Sequence, residues 1–318
     1  MKPLRRFLVG AIAAACAAVL VPSSAQAAVN PVLAAPYLYQ WGSVPSATSV
    51  MNQTGIKSFT LAFILSDGTC NPKWDGSRSL TGSDATLIKN IRAAGGDIVP
   101  SFGGWSGKKL GQYCSSASAL AGAYQKVISA YGLKAIDIDI EAQEFENNAT
   151  QDRVLGALKI VKQNNPGLRT VITMPTERTG PNSWGKRLIT RSKELGANVD
   201  VWSVMPFDFG SGGDMAAYTK SAVDGLKNQV KATFGLSDDA AYRRSGLSSM
   251  NGKTDTGETV TLANFKSIVS YANSKHLARV SFWAVNRDRG NCGGSSDSCS
   301  GISQGTYDFT KALTAFTG

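Results

Sequence analysis

The sequence alternates short apolar runs, typical of β-strands, with longer amphipathic runs, typical of helices. In one helical run, DRVLGALKIVKQNN, Val154, Leu155, Leu158 and Val161 recur at helical spacing. The strand candidates are APYLYQW (35–41), SFTLAFIL (58–65), DIVPSFG (97–103), AIDIDIE (135–141), LRTVITMP (168–175), VDVWSVMPF (199–207), SGLSSMN (245–251) and RVSFWAV (279–285). Eight strand–helix units over this length predict the α/β class and a single (β/α)8 TIM barrel.

Local signals place some helix ends and weigh against an open, doubly wound sheet. Ser83 and Thr261 are predicted as helix N-caps, and Gly95-Gly96 as a helix stop. No G-x-G-x-x-G follows the first strand, and GSGG at 210–213 lacks a P-loop lysine. We therefore expect one barrel domain over residues 28–318.

The N-terminal segment has the pattern of a secretory signal peptide over residues 1–27. Basic residues at positions 2, 5 and 6 precede the apolar run 7–21, and SSAQAA offers a cleavage site after Ala27. The run is too short and alanine-rich for a good membrane anchor. The paired arginines leave a twin-arginine export route open. We expect a secreted, extracellular protein with no membrane association after cleavage.

Charge gives little indication of a macromolecular partner. The leader holds three of the 33 basic residues and no acids, so the net charge of +10 becomes +7 after cleavage. The remaining basic residues are scattered, which favours a solvated surface over nucleic-acid binding.

The 318 residues less a 27-residue leader leave 291, enough for a large core. We expect a monomer.

Four cysteines remain after the leader: Cys70, Cys114, Cys292 and Cys299. An even number in an exported protein predicts two disulfides, and three pairings are possible. We favour 70–114 and 292–299, because the second closes the short loop CGGSSDSC. The spacings do not match a metal site, and His276 is the single histidine. We therefore expect no metal, no cofactor, and no mechanism of the Ser-His-Asp type.

Three acids alternate with isoleucines in the fourth strand candidate. Asp137, Asp139 and Glu141 are two residues apart and share one face of a strand. In a barrel they face the interior, where crowded carboxylates cannot all ionise, so at least one pKa should rise. Glu141, at the C-terminal end, is the candidate general acid. The alternative is an exposed strand with a polar face, for which mixed charges are expected.

This segment resembles the D-x-D-x-E core of the family 18 glycoside hydrolases, the chitinase family. SFGG (101–104), VMPFDFG (204–210) and SFWAVNRD (281–288) are similar to that family's third-, sixth- and eighth-strand segments. The resemblance covers essentially the whole chain after residue 27. It implies a catalytic domain that cleaves β-1,4 bonds in chitin or N-acetylglucosamine oligosaccharides with retention, assisted by the substrate's own N-acetyl group.

The resemblance also implies roles for individual residues. Glu141 protonates the glycosidic oxygen, and Asp139, next to Asp137 in the acidic set, turns to accept the acetamido N–H. Asp208 helps to orient that group, and Trp283 forms an apolar floor under the sugar. The further substrate-binding residues in the matched segments are Ser101, Met205 and Phe207.

Aromatic residues at the ends of early strands are further sugar-binding candidates. These are Tyr37, Tyr39, Trp41 and Trp105, of which Trp105 is the predicted substrate-binding residue, and core packing is an equal interpretation for the two tyrosines. Without the resemblance, a plain core role is favoured for Trp283 as well.

The sequence departs from the family pattern at two places. The family's Asp-Gly before the acids is replaced by Lys134 and Ala135. The family's tyrosine is Phe207, which has no hydroxyl for the acetamido carbonyl. In addition, strict alternation aims Asp208 away from Met205 and Phe207, so the strand must end or bulge there.

Two other functions fit the same barrel. One is an endo-β-N-acetylglucosaminidase that acts on N-glycans with the same catalytic core. The other is a non-catalytic chitin-binding lectin, in which the acid is usually replaced. Here Glu141 is intact.

Overall fold

A computed structural model describes residues 1, 29–290 and 292–318. The predicted signal peptide falls, apart from Met1, outside the described residues. Among the helices in the described ranges, none is both long and apolar enough to cross a bilayer.

Eight parallel strands form a nearly closed barrel in which each strand pairs with the next along the chain. The segment just before the first strand meets the last strand where Val280 N donates to Leu33 O at 2.9 Å. The predicted (β/α)8 fold is therefore confirmed. The strands are β1 (Tyr37–Tyr39), β2 (Ser58–Ser66), β3 (Asp97–Gly103), β4 (Ala135–Asp139), β5 (Arg169–Pro175), β6 (Val201–Met205), β7 (Ser245–Met250) and β8 (Arg279–Trp283).

Eight helices follow these strands in turn: α1 (Ala47–Thr54), α2 (Ser83–Ala93), α3 (Ala117–Tyr131), α4 (Asn148–Asn164), α5 (Ser183–Leu195), α6 (Met215–Phe234), α7 (Leu262–Ser274) and α8 (Asp308–Leu313). Thr261 caps α7 as predicted, in a capping box with Asn264. The N-cap prediction at Ser83 is wrong by one residue. α2 begins at Ser83, and Gly82 occupies the cap without a side-chain hydrogen bond.

Shorter elements decorate the loops. The additional helices are Leu110–Tyr113, Ala142–Phe145, Asp238–Tyr242 and the 3-10 turn Val285–Arg287. The strand Pro72–Trp74 pairs antiparallel with β2. The two small hairpins join Gly252–Lys253 to Thr259–Val260 and Ser295–Ser296 to Cys299–Ser300.

The two faces of β4 meet different environments, as the alternation predicts. Ile136, Ile138 and Ile140 are fully buried in the layer between the barrel and its helices. Burial of each contributes about 1.5–3 kcal/mol to stability. Asp137 and Asp139 face the barrel interior. Below them, towards the N-terminal ends of the strands, the interior is filled by Val32, Val99, Ala135, Val171 and Val201.

Both predicted disulfides are present, which confirms the favoured pairing. Cys70 is bonded to Cys114, and Cys292 to Cys299. The first ties the loop after β2 to the end of the helix Leu110–Tyr113, and the second closes the loop CGGSSDSC. Both bonds therefore constrain loops that follow barrel strands.

Candidate active site

The C-terminal ends of the barrel strands open into a cavity of about 1010 Å³. Parallel strands bring all their C-terminal ends to one rim, so residues far apart in sequence meet there. The cavity is at the upper end of the size range for small-molecule sites, roughly 300–1000 Å³. The predicted site residues that line it are Trp105, Asp139, Glu141, Met205, Phe207, Asp208 and Trp283.

Asp137 is fully buried beneath the cavity and accepts three hydrogen bonds. Tyr37 Oη and Ser101 Oγ donate to Oδ2 at 3.0 and 2.6 Å, and Thr173 Oγ1 donates to Oδ1 at 2.7 Å. These donors satisfy a carboxylate that burial otherwise destabilises. Neither Asp137 nor Ser101 lines the cavity. Ser101, predicted to bind substrate, is placed by the structure as a support for Asp137.

Asp139 is the last residue of β4 and lies at the cavity wall with 3% of its surface exposed. Its Oδ1 is buried and has no hydrogen-bond partner among the described residues. Burial raises the pKa of Asp139 well above the ordinary value, and the charges of Glu141 and Asp137 raise it further. Asp139 is therefore a buried acid that favours its protonated form and has an oxygen free for a ligand.

Glu141 lies beyond the end of β4, immediately before the short helix Ala142–Phe145. Burial raises the pKa of Glu141 to about 7, Lys109 opposes that rise, and Asp208 and Asp255 add to it. The spacing of the three acids predicts that crowding within the strand raises a pKa. In the structure, burial is the largest cause of the raised pKa of Glu141. A carboxyl with this pKa can both give and take a proton near neutral pH.

Two glycines of the SFGG segment allow β3 to approach β4 closely. Gly103 and Gly104 have left-handed φ angles of 114° and 86°. A Cβ on Gly103 would lie 2.1 Å from the carbonyl oxygen of Asp139, and one on Gly104 would lie 2.6 Å from the Phe63 ring. Gly104 N also donates to Asp139 O at 2.8 Å. The two glycines therefore fix the backbone at the point where the chain leaves β4.

Asp208 reaches the cavity because β6 ends at Met205, before alternation can turn the side chain away. Asp208 itself has a left-handed φ of 59°. Thr256 N donates to Asp208 Oδ1 at 3.1 Å, and Thr256 Oγ1 lies 3.4 Å from the same oxygen. The expectation that the strand must end or bulge before Asp208 is confirmed.

Trp283, at the end of β8, belongs to an aromatic cluster under the cavity. Its ring is nearly parallel to that of Phe63, at 8° and 5.6 Å between centroids, and stacks on Tyr39 at 5.0 Å. Trp41 stacks on Tyr39 from another side, at 4.2 Å. Packed rings of this kind present a rigid apolar surface. Trp41, Phe63 and Trp283 line the cavity, whereas Tyr39 is buried behind them.

The other predicted binding residues occupy different parts of the wall. Trp105 is 71% exposed and lies at the mouth, where it can contact a ligand that extends out of the cavity. Met205, the last residue of β6, and the half-buried Phe207 line another part of the wall. Tyr37 also reaches the wall, but its hydroxyl is engaged with Asp137.

The fold also brings residues to the acids, or close behind them, that were not predicted from the sequence. Asp255 and Thr256 line the cavity from the hairpin after β7. Lys109 and Glu144 are both buried behind the wall near Glu141. No local pattern identifies them, because Lys109 and Glu144 stand in the polar segments KKLGQY and EAQEF, as exposed residues do.

The described ranges contain no group of three or more His, Cys, Asp or Glu side chains that could hold a metal ion. Glu141 can exchange a proton, Asp139 offers a second buried carboxyl, and Trp283 provides an apolar surface. This arrangement suits acid–base chemistry on a polar ligand that has a flat apolar face.

Comparison of sequences gives two chitinase relatives. The chain is 27% identical over 274 residues to the Escherichia coli K12 protein named "probable bifunctional chitinase/lysozyme", which covers 80% of this chain and 30% of that protein. It is 26% identical over 274 residues to Endochitinase 11 of Metarhizium anisopliae, which covers 80% of this chain and 52% of the relative. The chain therefore spans about half or less of each relative's length. No family model matches the chain.

Comparison of structures gives the same group of proteins. The catalytic domain of the hyperthermophilic chitinase from Pyrococcus furiosus superposes with a TM-score of 0.81 at 27% identity, covering 91% of this chain and 98% of that one. Catalytic-site mutants of active domain 2 of the thermostable chitinase from that organism, complexed with chito-oligosaccharides, give 0.81 at 26% identity, covering 90% and 96%.

Proposed function

The chain is a family 18 glycoside hydrolase by its sequence and structural relatives, and on that premise we propose that it hydrolyses β-1,4 bonds between N-acetylglucosamine units. The observation that carries this proposal is the position of Glu141. Its carboxyl has a pKa raised to about 7 and shares a cavity with Asp139 and with the Trp283 surface. The chito-oligosaccharide complex of the Pyrococcus furiosus chitinase supports the choice of substrate.

In the first proposed step, Glu141 donates its proton to the glycosidic oxygen and the bond from that oxygen to C1 breaks. The carbonyl oxygen of the substrate's acetamido group forms the new bond to C1. Asp139 accepts the acetamido N–H, which its unpartnered Oδ1 supports. Asp208 helps to orient the group from the opposite loop, and the sugar ring packs on Trp283.

In the second proposed step, the carboxylate of Glu141 takes a proton from water, and the water oxygen bonds to C1. The bond between C1 and the acetamido oxygen breaks, so Glu141 ends protonated and the anomeric configuration is retained. No second carboxylate nucleophile is needed, as in other substrate-assisted glycosidases. Phe207 cannot donate to the acetamido carbonyl, so the chain relies on Asp139 and Asp208 for orientation.

The decisive experiment measures chromophore release from a chitobiose glycoside. Wild type should release the chromophore, and Glu141→Gln should lose at least a hundredfold in rate, because a general acid contributes about 10²–10⁴-fold. Glu146→Gln is the matched control, since Glu146 is an exposed glutamate nearby. Equal rates in wild type and Glu141→Gln contradict the assignment.

The alternatives are separated by substrate. Product analysis on defined N-acetylglucosamine oligomers and on an N-glycan glycopeptide should show cleavage of the oligomers. Preference for the glycopeptide favours an endo-β-N-acetylglucosaminidase. Binding of oligomers without turnover favours a lectin.

We further propose that the protein acts as a secreted monomer. The N-terminal leader pattern supports export, and the two disulfides are typical of oxidising compartments. The N-terminal sequence of the protein recovered from culture medium and its sedimentation in solution test the two parts of this proposal.

A further inference from the structure

A buried lysine lies behind the cavity wall close to the proposed acid. Lys109 is 3% exposed, and its Nζ donates to the carbonyl oxygen of Ser106. Ser106 and Gly107 line the cavity, so the ammonium group lies directly behind backbone that forms the cavity wall. Lys108, the preceding residue, is exposed. Burial of an ammonium is costly unless nearby acids compensate it.

A buried glutamate compensates that charge. Glu144 is 3% exposed and lies in the short helix Ala142–Phe145, which begins directly after Glu141. Gly111 N donates to Glu144 Oε1 at 3.0 Å. A Cβ on Gly111 would lie 2.2 Å from that oxygen, so only glycine lets the carboxylate pack here. Glu144 is therefore held on the same segment as Glu141.

Lys109 acts on three acids and forms an ion pair with none of them. Within the described residues no carboxylate oxygen lies within 4.0 Å of its Nζ. Burial lowers the pKa of Lys109, and the charges of Glu144, Glu141 and Asp139 act against that effect. The ammonium is thus an interior charge shared among the acids.

The titratable groups that face Glu141 come from four elements. Asp139 lies on β4, Asp208 follows β6, Asp255 lies in the hairpin after β7, and Lys109 follows β3. Asp208 and Asp255 raise the pKa of Glu141, whereas Lys109 lowers it. Lys109 therefore opposes the combined effect of burial and the neighbouring acids.

We propose that Lys109 is a positioning residue for the proposed reaction, in which its buried ammonium, balanced by Glu144, sets the pH range over which Glu141 donates its proton. The inference rests on the proposed function for its catalytic consequence, but the titration of Glu141 can be measured without turnover.

The test compares two adjacent lysines. The carboxyl carbon of Glu141 is followed by NMR in protein carrying ¹³C-labelled glutamate, with the signal assigned from its absence in Glu141→Gln. In Lys109→Met the titration midpoint of Glu141 should rise by about one pH unit. This is the low end of the shift that an opposite charge produces, because Lys109 and Glu141 form no ion pair. Lys108→Met should leave the midpoint unchanged. An unchanged midpoint in Lys109→Met overturns the proposal.

The pH–rate profile gives the catalytic readout. The alkaline limb of kcat/KM on the chitobiose glycoside should move upwards with the NMR midpoint in Lys109→Met and remain in place in Lys109→Arg, which keeps the charge. A shifted midpoint in a protein without turnover supports the role of Lys109 and contradicts the proposed function. If Lys109→Met turns over substrate but neither the alkaline limb of kcat/KM nor the NMR midpoint of Glu141 shifts, only the role of Lys109 is contradicted.

A second variant guards against loss of folding. Lys109→Met leaves Glu144 without its compensating cation, and an unpaired buried charge can destabilise the fold by several kcal/mol. Lys109→Met/Glu144→Gln removes both charges and should show the same upward shift of Glu141. A double variant that folds and titrates like wild type overturns the proposal.

Discussion

The backbone N–H of Thr256 donates a hydrogen bond of 3.1 Å to Asp208 Oδ1, across 48 residues of sequence. Thr256 Oγ1 lies 3.4 Å from the same oxygen and donates to Glu258 Oε2 at 2.7 Å. Gly210 N in turn donates to Thr256 Oγ1 at 3.3 Å. The hairpin after β7 therefore holds in place the carboxylate that follows β6.

Loss of the Thr256 hydroxyl should weaken catalysis through Asp208. Thr256→Val keeps the backbone donor to Asp208 but removes the hydroxyl that accepts from Gly210 N and donates to Glu258, bonds that hold the two loops together. We therefore expect kcat/KM on the chitobiose glycoside to fall about fivefold, the equivalent of one hydrogen bond of about 1 kcal/mol. Thr256→Ser keeps the hydroxyl and should stay near wild type. The same rate in the valine and wild-type enzymes contradicts this role.

Ser101 should contribute to stability through its hydrogen bond to the buried Asp137. Ser101→Ala removes the 2.6 Å bond to Oδ2, and a hydrogen bond to a charged group contributes about 1.5–3 kcal/mol. Urea unfolding should show that loss. Ser203→Ala is the control, because Ser203 Oγ is also buried in the barrel and has no partner among the described residues. Equal losses in the two variants argue against a specific role for Ser101.

Activity should decline as pH rises above about 7. Glu141 must carry a proton when the reaction begins, and its pKa is raised to about 7, so the protonated fraction falls roughly tenfold per pH unit above that value. The measurement is kcat/KM on the chitobiose glycoside from about pH 5 to pH 9. A profile that stays flat through this range is incompatible with Glu141 as the proton donor.

Stability should also fall with rising pH, through Glu144. Burial raises the pKa of Glu144 from 4.5 to about 7. Because the folded pKa lies above the unfolded one, this stabilisation is complete below about pH 4.5 and is lost as pH rises to about 7, an effect on the order of 3 kcal/mol. Glu144→Gln stays neutral, so its Tm should fall less between about pH 5 and pH 8 than that of wild type. The exposed Glu146→Gln should follow wild type, and parallel curves for all three proteins contradict the prediction.

Much of the fold is encoded in local patterns that any reader of the sequence can find. Each of the eight predicted strand runs overlaps a barrel strand, because period-2 and helical periodicity reflect which side of an element is buried. The errors lie at element ends. Ser83 begins α2 instead of capping it, and β6 ends two residues before the predicted Phe207.

Some residues of the candidate site could likewise be predicted from local patterns, and others could not. Asp137, Asp139 and Glu141 could be assigned to one face from their spacing, and Asp208 could be expected to need a strand end. The hydrogen bond from Ser101 to Asp137 could not be predicted, because the S-x-G-G motif alone does not identify the acceptor of the serine hydroxyl. Lys109 and Thr256 were missed because each acts across a loop on a residue far along the chain.

The sequence by itself determined the barrel and the set of carboxyl groups aimed into it, because side-chain direction along a strand follows from backbone geometry alone. Only the tertiary structure decided which of those groups keeps a proton. Desolvation and the interaction between charges depend on distances in space, and the chain sets those distances only when Glu141 is enclosed by loops that carry Lys109, Asp208 and Asp255.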